Sequence, residues 1–374
     1  MPAANRRPLE CIIPPYILER LTRCSLEPVR RQAIRDLAEA AAVHAVRDMA
    51  REMPSFLARS SPTRGRCRMI HDAEGRDELP GPLVRGEGDP RHADAAVNEA
   101  YDHAGATYDF FFERFGRNSL DDSGMCLIAS VHVGEADRDG YVPMNNAFFN
   151  GSQMAYGDGD GLVFRRFTRA LDVVAHELTH GIQAFASNLA YRGESGALNE
   201  HFADVFGVLV RQWREAVRAT ARARRAGRRL ARPEPSWLVG ADLLVPAATR
   251  RAVRDMREPG TAFVDDPLLG TDPQPGHMRD VAGGPSDRGG VHLNSGIPNR
   301  AFVLAAERIG GDAWETPGRI WYDAMLQLSR TSGFADAARL TEQIAMDRYG
   351  PLEAKAVREG WKAVGVKPAR ERVA

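Results

Sequence analysis

The stretch DVVAHELTHGIQ, residues 172–183, decides how this chain is read. Its apolar residues recur at helical spacing, which predicts an amphipathic helix over about residues 171–187. Side chains four positions apart share a helix face, so the imidazoles of His176 and His180 can address one ion. Glu177 points about 100° away from His176, beside such an ion and outside its ligand set. That position suits a general base acting on water, whose pKa a zinc ion lowers to about 7. H-E-x-x-H alone is only moderately specific, and a third ligand is the discriminating observation.

GESGALNEHFADVFG, residues 193–207, supplies a candidate. It reads as a second helix opening near Ala197 or Leu198, with Glu200 as a carboxylate ligand and Asp204 one turn on, on the same face. Two histidines and a glutamate leave a fourth tetrahedral position for water, the arrangement of a catalytic zinc site. Asp204 can then receive the outer N–H of a ligand histidine. His201 faces away from Glu200 and Asp204 and is set aside as a ligand.

Outside these helices the chain divides by composition. Residues 28–52 carry apolar residues at helical spacing, and MPSFLARSSPTRGR, 53–66, has the Pro, Ser, Gly and Arg content of an exposed linker. From Cys67 to about Asn150, strand-like runs such as CLIASVHV at 126–133 mix with a helical segment near AAVNEAYDHAGATYDFFFERF, and the pattern is α+β. The remainder reads as mostly helical, with helices expected near 171–187, 197–220, 294–308, 317–329 and 336–347.

The formal net charge is zero, so nothing global steers the chain toward nucleic acid or an anionic membrane. No apolar run approaches the roughly 20 residues that span a bilayer. RQWREAVRATARARRAGRRLAR, 211–232, is rich in arginine; it reads as a solvated surface helix or as a contact for an anionic partner, and no role is assigned to it. The cysteines Cys11, Cys24, Cys67 and Cys126 are scattered without C-x-x-C spacing, which indicates neither a disulfide scaffold nor a cysteine zinc site. The N-terminus, with Pro14 and Pro15 breaking a short apolar patch, reads as no secretory signal.

In combination these motifs resemble the thermolysin family of zinc metallopeptidases over about residues 67–370, and the first 66 residues, with LECIIPPYILERL, look like the short prosegment of its protealysin-like branch. The resemblance implies a two-domain α+β fold, a β-rich N-terminal lobe at 67–190 and a mostly α-helical lobe at 191–374, with the zinc site in the cleft between them. It implies His176, His180 and Glu200 as ligands of one zinc, Glu177 as base, and Tyr191 with His292 as oxyanion donors, Asp287 orienting His292. NNAFFNGSQMAYGDGDG, 145–161, is similar to the family's edge strand, where Asn146 and the carbonyl of Ala147 bind substrate backbone. VRDM, 253–256, is similar to the region whose arginine, here Arg254, binds the carbonyl after the scissile bond, and Phe164, Val173 and Val253 would line the apolar pocket for that residue.

The activity implied is endopeptidase cleavage of protein and peptide substrates on the amino side of bulky apolar residues. The enzyme would be a monomer, made as a self-processing precursor whose residues 1–66 act as an intramolecular inhibitor. The family's best-known members are secreted; a cytoplasmic precursor is the alternative for a chain without a readable leader. Calcium-rich relatives carry a carboxylate cluster beside the zinc helices. Here Asp172 is retained, but Arg211, Ser236, Leu238 and Ala241 stand where acids are expected, so calcium is doubtful and an Arg211 contact to Asp172 is the expected substitute. Within the N-terminal segment IPPY can lie extended in a groove, and Cys11 could offer a thiolate to zinc or sit buried as a small apolar residue. A binding protein with an inert metal site and a zinc aminopeptidase are the competing readings; the aminopeptidase would need an acidic amine-capturing segment that the sequence lacks.

Overall fold

The computed structural model describes residues 12–38, 65–137, 140–227, 234–284 and 287–369. Cys11 and most of the 53–66 linker lie outside them.

Beyond the N-terminal segment, the first lobe is built on a mixed sheet. β1 (Arg68–Asp72), β2 (Leu83–Gly86), β3 (Leu127–Asp137), β5 (Ala147–Phe149) and β6 (Met154–Gly157) run in the order β2-β1-β3-β6-β5, and β4 (Gly140–Pro143) pairs with β3 off this path. β5 is therefore an edge, antiparallel to β6, with Ala147 opposite Tyr156. The parallel pairing of β1 with β3 sets Arg68 opposite Leu127, which brings the preceding residues together as the disulfide Cys67–Cys126. This corrects the expectation from spacing. The pairing is fixed by strand register across 59 residues, and loop-closure entropy gives a crosslink of that span about 4 kcal/mol.

The long helix α3 (Ala95–Phe115) packs on this sheet. Its Phe111 and Phe115 meet Phe206 of α5 (Gly193–Arg225) and Tyr322 of α8 (Thr316–Gln327), an aromatic cluster that joins the two lobes. α4 (Leu171–Ala184) lies between them. The C-terminal lobe continues with α6 (Asp287–Asn294), α7 (Gly296–Ile309), α8, α9 (Phe334–Arg348) and α10 (Pro351–Ala363). Two elements differ from the sequence expectation. The helix foreseen at 294–308 is preceded by a separate turn, because Asp287, Arg288, Gly289 and Gly290 all take positive φ. α10 went unread, although Gly350 and Pro351 form a helix-start signal. The arginine-rich stretch continues α5 as far as Arg225. Among the described residues, no helix is long and apolar enough to cross a membrane.

The N-terminal segment is part of the packed structure. Ile12, Ile13, Ile17, Leu18 and Leu21 are buried in the main core cluster. Ile12 and Ile13 form a bend and Pro14 is extended; Pro15, expected to continue the extended chain, instead opens a short helix α1 (Pro15–Leu21), because proline suits a first helical position. A second helix, α2, is described over 27–38, in agreement with the first part of the helix read over 28–52, of which residues 39–52 lie outside the described residues. α2 docks beside β5 through polar groups: Gln32 donates to the carbonyl of Pro143 at 2.7 Å, and Asp36 accepts from Gln32 and from the backbone N–H of Asn145 at 2.9 and 3.1 Å.

Burial raises the pKa of Asp36 to about 7, against lowering hydrogen bonds from Asn145 and Gln32, and Asp160 adds to the rise. Below about pH 4 this carboxyl is protonated docked or free, so it costs docking nothing. Between about 4 and 7 only the free segment ionises, so the cost of docking grows, and above 7 it is constant. Docking of α2 should therefore be tighter at pH 5 than at pH 8. Hydrogen exchange at α2 amides, corrected for intrinsic rates, should show that difference in the wild type and lose it in Asp36→Asn.

Candidate active site

α4 and α5 approach so closely that a Cβ on Gly207 would stand 2.6 Å from the carbonyl oxygen of Asp172 and 3.4 Å from His176. Glycine at that point lets one helix lie against the other, and the polar faces read from the sequence meet in the gap. His176, Glu177, His180, Glu200 and Asp204 are all buried.

His176, His180 and Glu200 converge, and among the described residues they are the group of three whose donor atoms could hold one metal ion. The two Nε2 atoms are 3.0 Å apart, and Glu200 lies 3.6 Å from the first and 3.5 Å from the second. Nδ1 of His180 faces Asn199 Oδ1 at 2.7 Å, an oxygen that also accepts from Gln183, so the ring proton belongs on Nδ1. Nδ1 of His176 is 3.0 Å from Asp204 Oδ1. Burial alone would raise the pKa of Asp204, yet Arg254 and His176 hold it well below the usual carboxylate range. The two Nε2 atoms face one another and Glu200, whose Oε2 has no hydrogen-bond donor. Two imidazole nitrogens and one carboxylate, buried and converging within 4.8 Å of one another, fit a divalent cation of the zinc type. His201, set aside from sequence, is engaged elsewhere, with Nδ1 on Asn299 and Nε2 accepting from Trp321. Burial depresses its pKa to about 4.

The remaining residues assemble around this centre. Tyr191 donates to Glu200 and lies 3.1 Å from His292 Nε2. His292 is clamped by Asp287, whose Oδ1 faces Nδ1 at 2.6 Å and whose Oδ2 accepts the His292 backbone N–H. Burial pulls the His292 pKa down, but the anions of Asp287 and Glu200 outweigh it and the net shift is upward. Arg254 forms a bidentate pair with Asp204 at 2.9 and 2.7 Å. Phe164, Val173 and Val253 are fully buried, and Val173 and Val253 flank Gly240, where a Cβ would stand 2.9 Å from Val253.

The N-terminal segment occupies the groove. Ile12 donates its N–H to Glu177 Oε1 at 2.9 Å, its carbonyl accepts from Arg254 at 2.9 Å, and the N–H of Ile13 faces Asn146 Oδ1 at 3.5 Å. Ala147 heads the edge strand alongside. Sequence reasoning missed Asn199, which orients His180, although it lies within the NE pair that announced Glu200. It also missed Asn299, which reaches Asp204 from α7 across 95 residues and leaves no local signal.

A metal-dependent hydrolase site of the metallopeptidase class is what these two lobes enclose. Residues 67–184 match the thermolysin metallopeptidase catalytic domain and residues 187–366 the thermolysin metallopeptidase alpha-helical domain. An extracellular metalloprotease of Pectobacterium carotovorum subsp. carotovorum is 45% identical over 98% of this chain and 99% of its own length. Protease PrtS of Photorhabdus sp. (strain Az29) is 47% identical over 81% of this chain and 77% of its own length. The solved precursor of protealysin, a metalloproteinase from Serratia proteamaculans, superposes with a TM-score of 0.81 at 42% identity, covering 96% of this chain and 99% of that one. The chain belongs to the thermolysin family and is protealysin-like: a zinc metalloendopeptidase made as a precursor.

Beside the metal centre, Arg211 meets Asp172 at 2.7 Å, as expected, and its other nitrogen donates to the carbonyls of Ser236 and Leu238. Asp172 is further engaged by the N–H groups of Val173 and Gly240. Arg211→Leu should lower stability by about 3 kcal/mol, because it strands a buried carboxylate. Thermal melts of the zinc-loaded wild type should be unmoved by millimolar calcium; a large calcium-dependent rise would show that an ion still binds there.

Proposed function

We propose that this enzyme cleaves peptide bonds on the amino side of bulky apolar residues, that Glu177 is its general base, and that residues 1 to about 66 are an inhibitory prosegment removed by the enzyme itself. The observation that carries the reading is the seating of Ile12 and Ile13. A chain whose first residue gives its carbonyl to Arg254 and whose second gives its N–H to Asn146 runs in one polarity along the edge strand. Ile12 then holds the place of the residue just after a scissile bond, and its nitrogen marks the position of the leaving amine.

When bound, zinc supplies a Lewis acid that polarises the substrate carbonyl and lowers the pKa of water to about 7. Glu177 reaches the leaving-amine position at 2.9 Å, so one carboxylate can take the proton from water and deliver it to that nitrogen. Tyr191 and His292 sit side by side above Glu200, where both can donate to an oxyanion. Asp287 holds His292 by Nδ1 and favours its charged form, in which Nε2 carries a proton that it can donate. Arg254 binds the carbonyl that follows the cut. Val173, Val253 and Phe164 present apolar surface for the side chain there, which favours Ile, Leu, Val or Phe. We read residues 67–190 and 191–374 as the two lobes of the monomeric enzyme. Secretion fits the extracellular relatives and the Cys67–Cys126 disulfide, which suits an oxidising compartment.

Glu177→Gln should retain about one zinc per chain while losing activity by a factor on the order of 1,000 or more. Loss of the metal in that variant would instead make Glu177 a ligand. Purified wild-type protein should shorten itself to a species starting near residues 60–68, and Glu177→Gln should stay full length; equal trimming of both when pure would remove the case for self-processing. Among blocked peptides, those with an aliphatic or phenyl side chain after the cut should lead those with an acidic one by at least about tenfold in kcat/KM.

A further inference from the structure

Behind the metal centre runs a buried chain of hydrogen bonds that no step above uses. Trp321 Nε1 lies 2.8 Å from His201 Nε2, His201 Nδ1 lies 2.8 Å from Asn299 Oδ1, and Asn299 Nδ2 lies 2.8 Å from Asp204 Oδ2. His201, Asn299, Asp204 and Trp321 have no exposed surface. Three different helices, α8, α5 and α7, contribute the links.

The direction of every bond in the chain follows from its first member. An indole N–H can only donate, so His201 Nε2 must be the acceptor and the neutral ring must carry its proton on Nδ1. That Nδ1–H requires an oxygen, so Asn299 turns its carbonyl oxygen to His201 and its NH2 group to Asp204. Asp204, which accepts both Arg254 bonds, accepts here too. Without the indole, His201 could adopt the other tautomer and Asn299 the reversed amide, which would press a carbonyl oxygen against the carboxylate.

We infer that Trp321, His201 and Asn299 form a positioning chain for Asp204, which through that carboxylate sets two functional groups at once: the His176 ring toward the metal and Arg254 toward the carbonyl after the cut. The inference rests on the reading of the centre as a zinc peptidase site. Asp204 is the shared element, since Oδ1 faces His176 at 3.0 Å and Arg254 at 2.7 Å while Oδ2 takes the second Arg254 bond at 2.9 Å and that of Asn299. None of the three chain residues touches metal or substrate; they act through Asp204. Fixing the carboxylate by a third donor leaves it one orientation in which both partners are served, whereas a carboxylate held by Arg254 alone can tilt with the arginine.

His201→Gln and His201→Leu test the chain against a purely space-filling role. Glutamine can accept from Trp321 through its oxygen and donate to Asn299 through its nitrogen, so it preserves the direction of the bonds; leucine fills the space and carries neither. Zinc dissociation constants, measured by chelator competition in the full chain carrying Glu177→Gln, should rise about tenfold for leucine and stay within about threefold for glutamine, since outer partners of metal ligands are worth about 10- to 100-fold. In the active background, leucine should raise KM and lower kcat together, because Arg254 and His176 are displaced together. Should the leucine variant fail to fold, Trp321→Phe removes only the donor, and 15N spectra should show His201 leaving the Nδ1–H tautomer. Wild-type zinc affinity and kinetics in a folded leucine variant, equal losses in both His201 variants, or an unchanged tautomer in Trp321→Phe would each overturn the inference. Loss of zinc from Glu177→Gln alone would make Glu177 a ligand and overturn the proposed base, and the KM and kcat comparison of the His201 variants in the active background would then decide the inference by itself.

Discussion

The contact on which the rest depends is the close approach of α4 and α5 at Gly207. The two helices together carry the metal triad, the base and Asp204, and each side chain is useful only at the distance this contact sets. A Cβ at residue 207 would collide with the backbone of α4 beside Asp172, one turn before His176, and would push Glu200 away from the imidazoles. Packing elsewhere supports the contact. The aromatic cluster of Phe111, Phe115, Phe206 and Tyr322 ties α5 to the sheet lobe through α3, and Arg211 pins the start of α4 to α5 through Asp172.

Burial explains why the centre is held so firmly. Asp204 in the interior would be costly if unpaired, and it is stabilised by a bidentate guanidinium, an imidazole and an amide. The same logic runs through Asp287, which takes one side-chain and two backbone donors from the 292–293 turn. The positive φ angles at Asp287 and Arg288 are the local strain that brings this carboxylate under His292.

What the sequence disclosed and what it hid follow from the range of each constraint. His176, Glu177 and His180 are spaced by the helical period, so their common face is visible in a dozen residues, and Glu200 with Asp204 repeats the argument on the next helix. Arg211 with Asp172 was legible because an arginine stands where acids were expected. Tyr191, His292, Asp287 and Arg254 have no periodic signature and were visible only through resemblance to a family. The disulfide escaped because Cys67 and Cys126 meet through the parallel register of β1 and β3, which spacing along the chain does not encode. Asn299 and Trp321 escaped for the same reason, each reaching His201 from a helix about a hundred residues away. The extended reading of IPPY failed at Pro15, where proline's fixed φ serves a helix start as readily as an extended chain.

On the reading proposed above, the N-terminal segment is a substrate-like ligand that is held without being consumed. Glu177, Arg254 and Asn146 meet the backbone groups of Ile12 and Ile13, and if they recognise substrate as proposed, the segment's affinity comes from the same chemistry. A free peptide with those contacts would diffuse away after cleavage. Here the chain turns at Pro14 into α1, whose Ile17, Leu18 and Leu21 are buried in the same core as α4 and α5, and α2 is fastened by Gln32 and Asp36 to Pro143 and Asn145, just ahead of the edge strand. The effective concentration of Ile12 at the groove is thus set by a tether anchored twice on the enzyme surface. Cutting the chain after α2 would leave every one of these contacts in place, so inhibition would end only when the separated segment dissociates. Under the proposed activation the rate would be governed by how tightly α1 and α2 dock, and Asp36, with its raised pKa and its bond to the Asn145 N–H, lies in the α2 contact that would have to open.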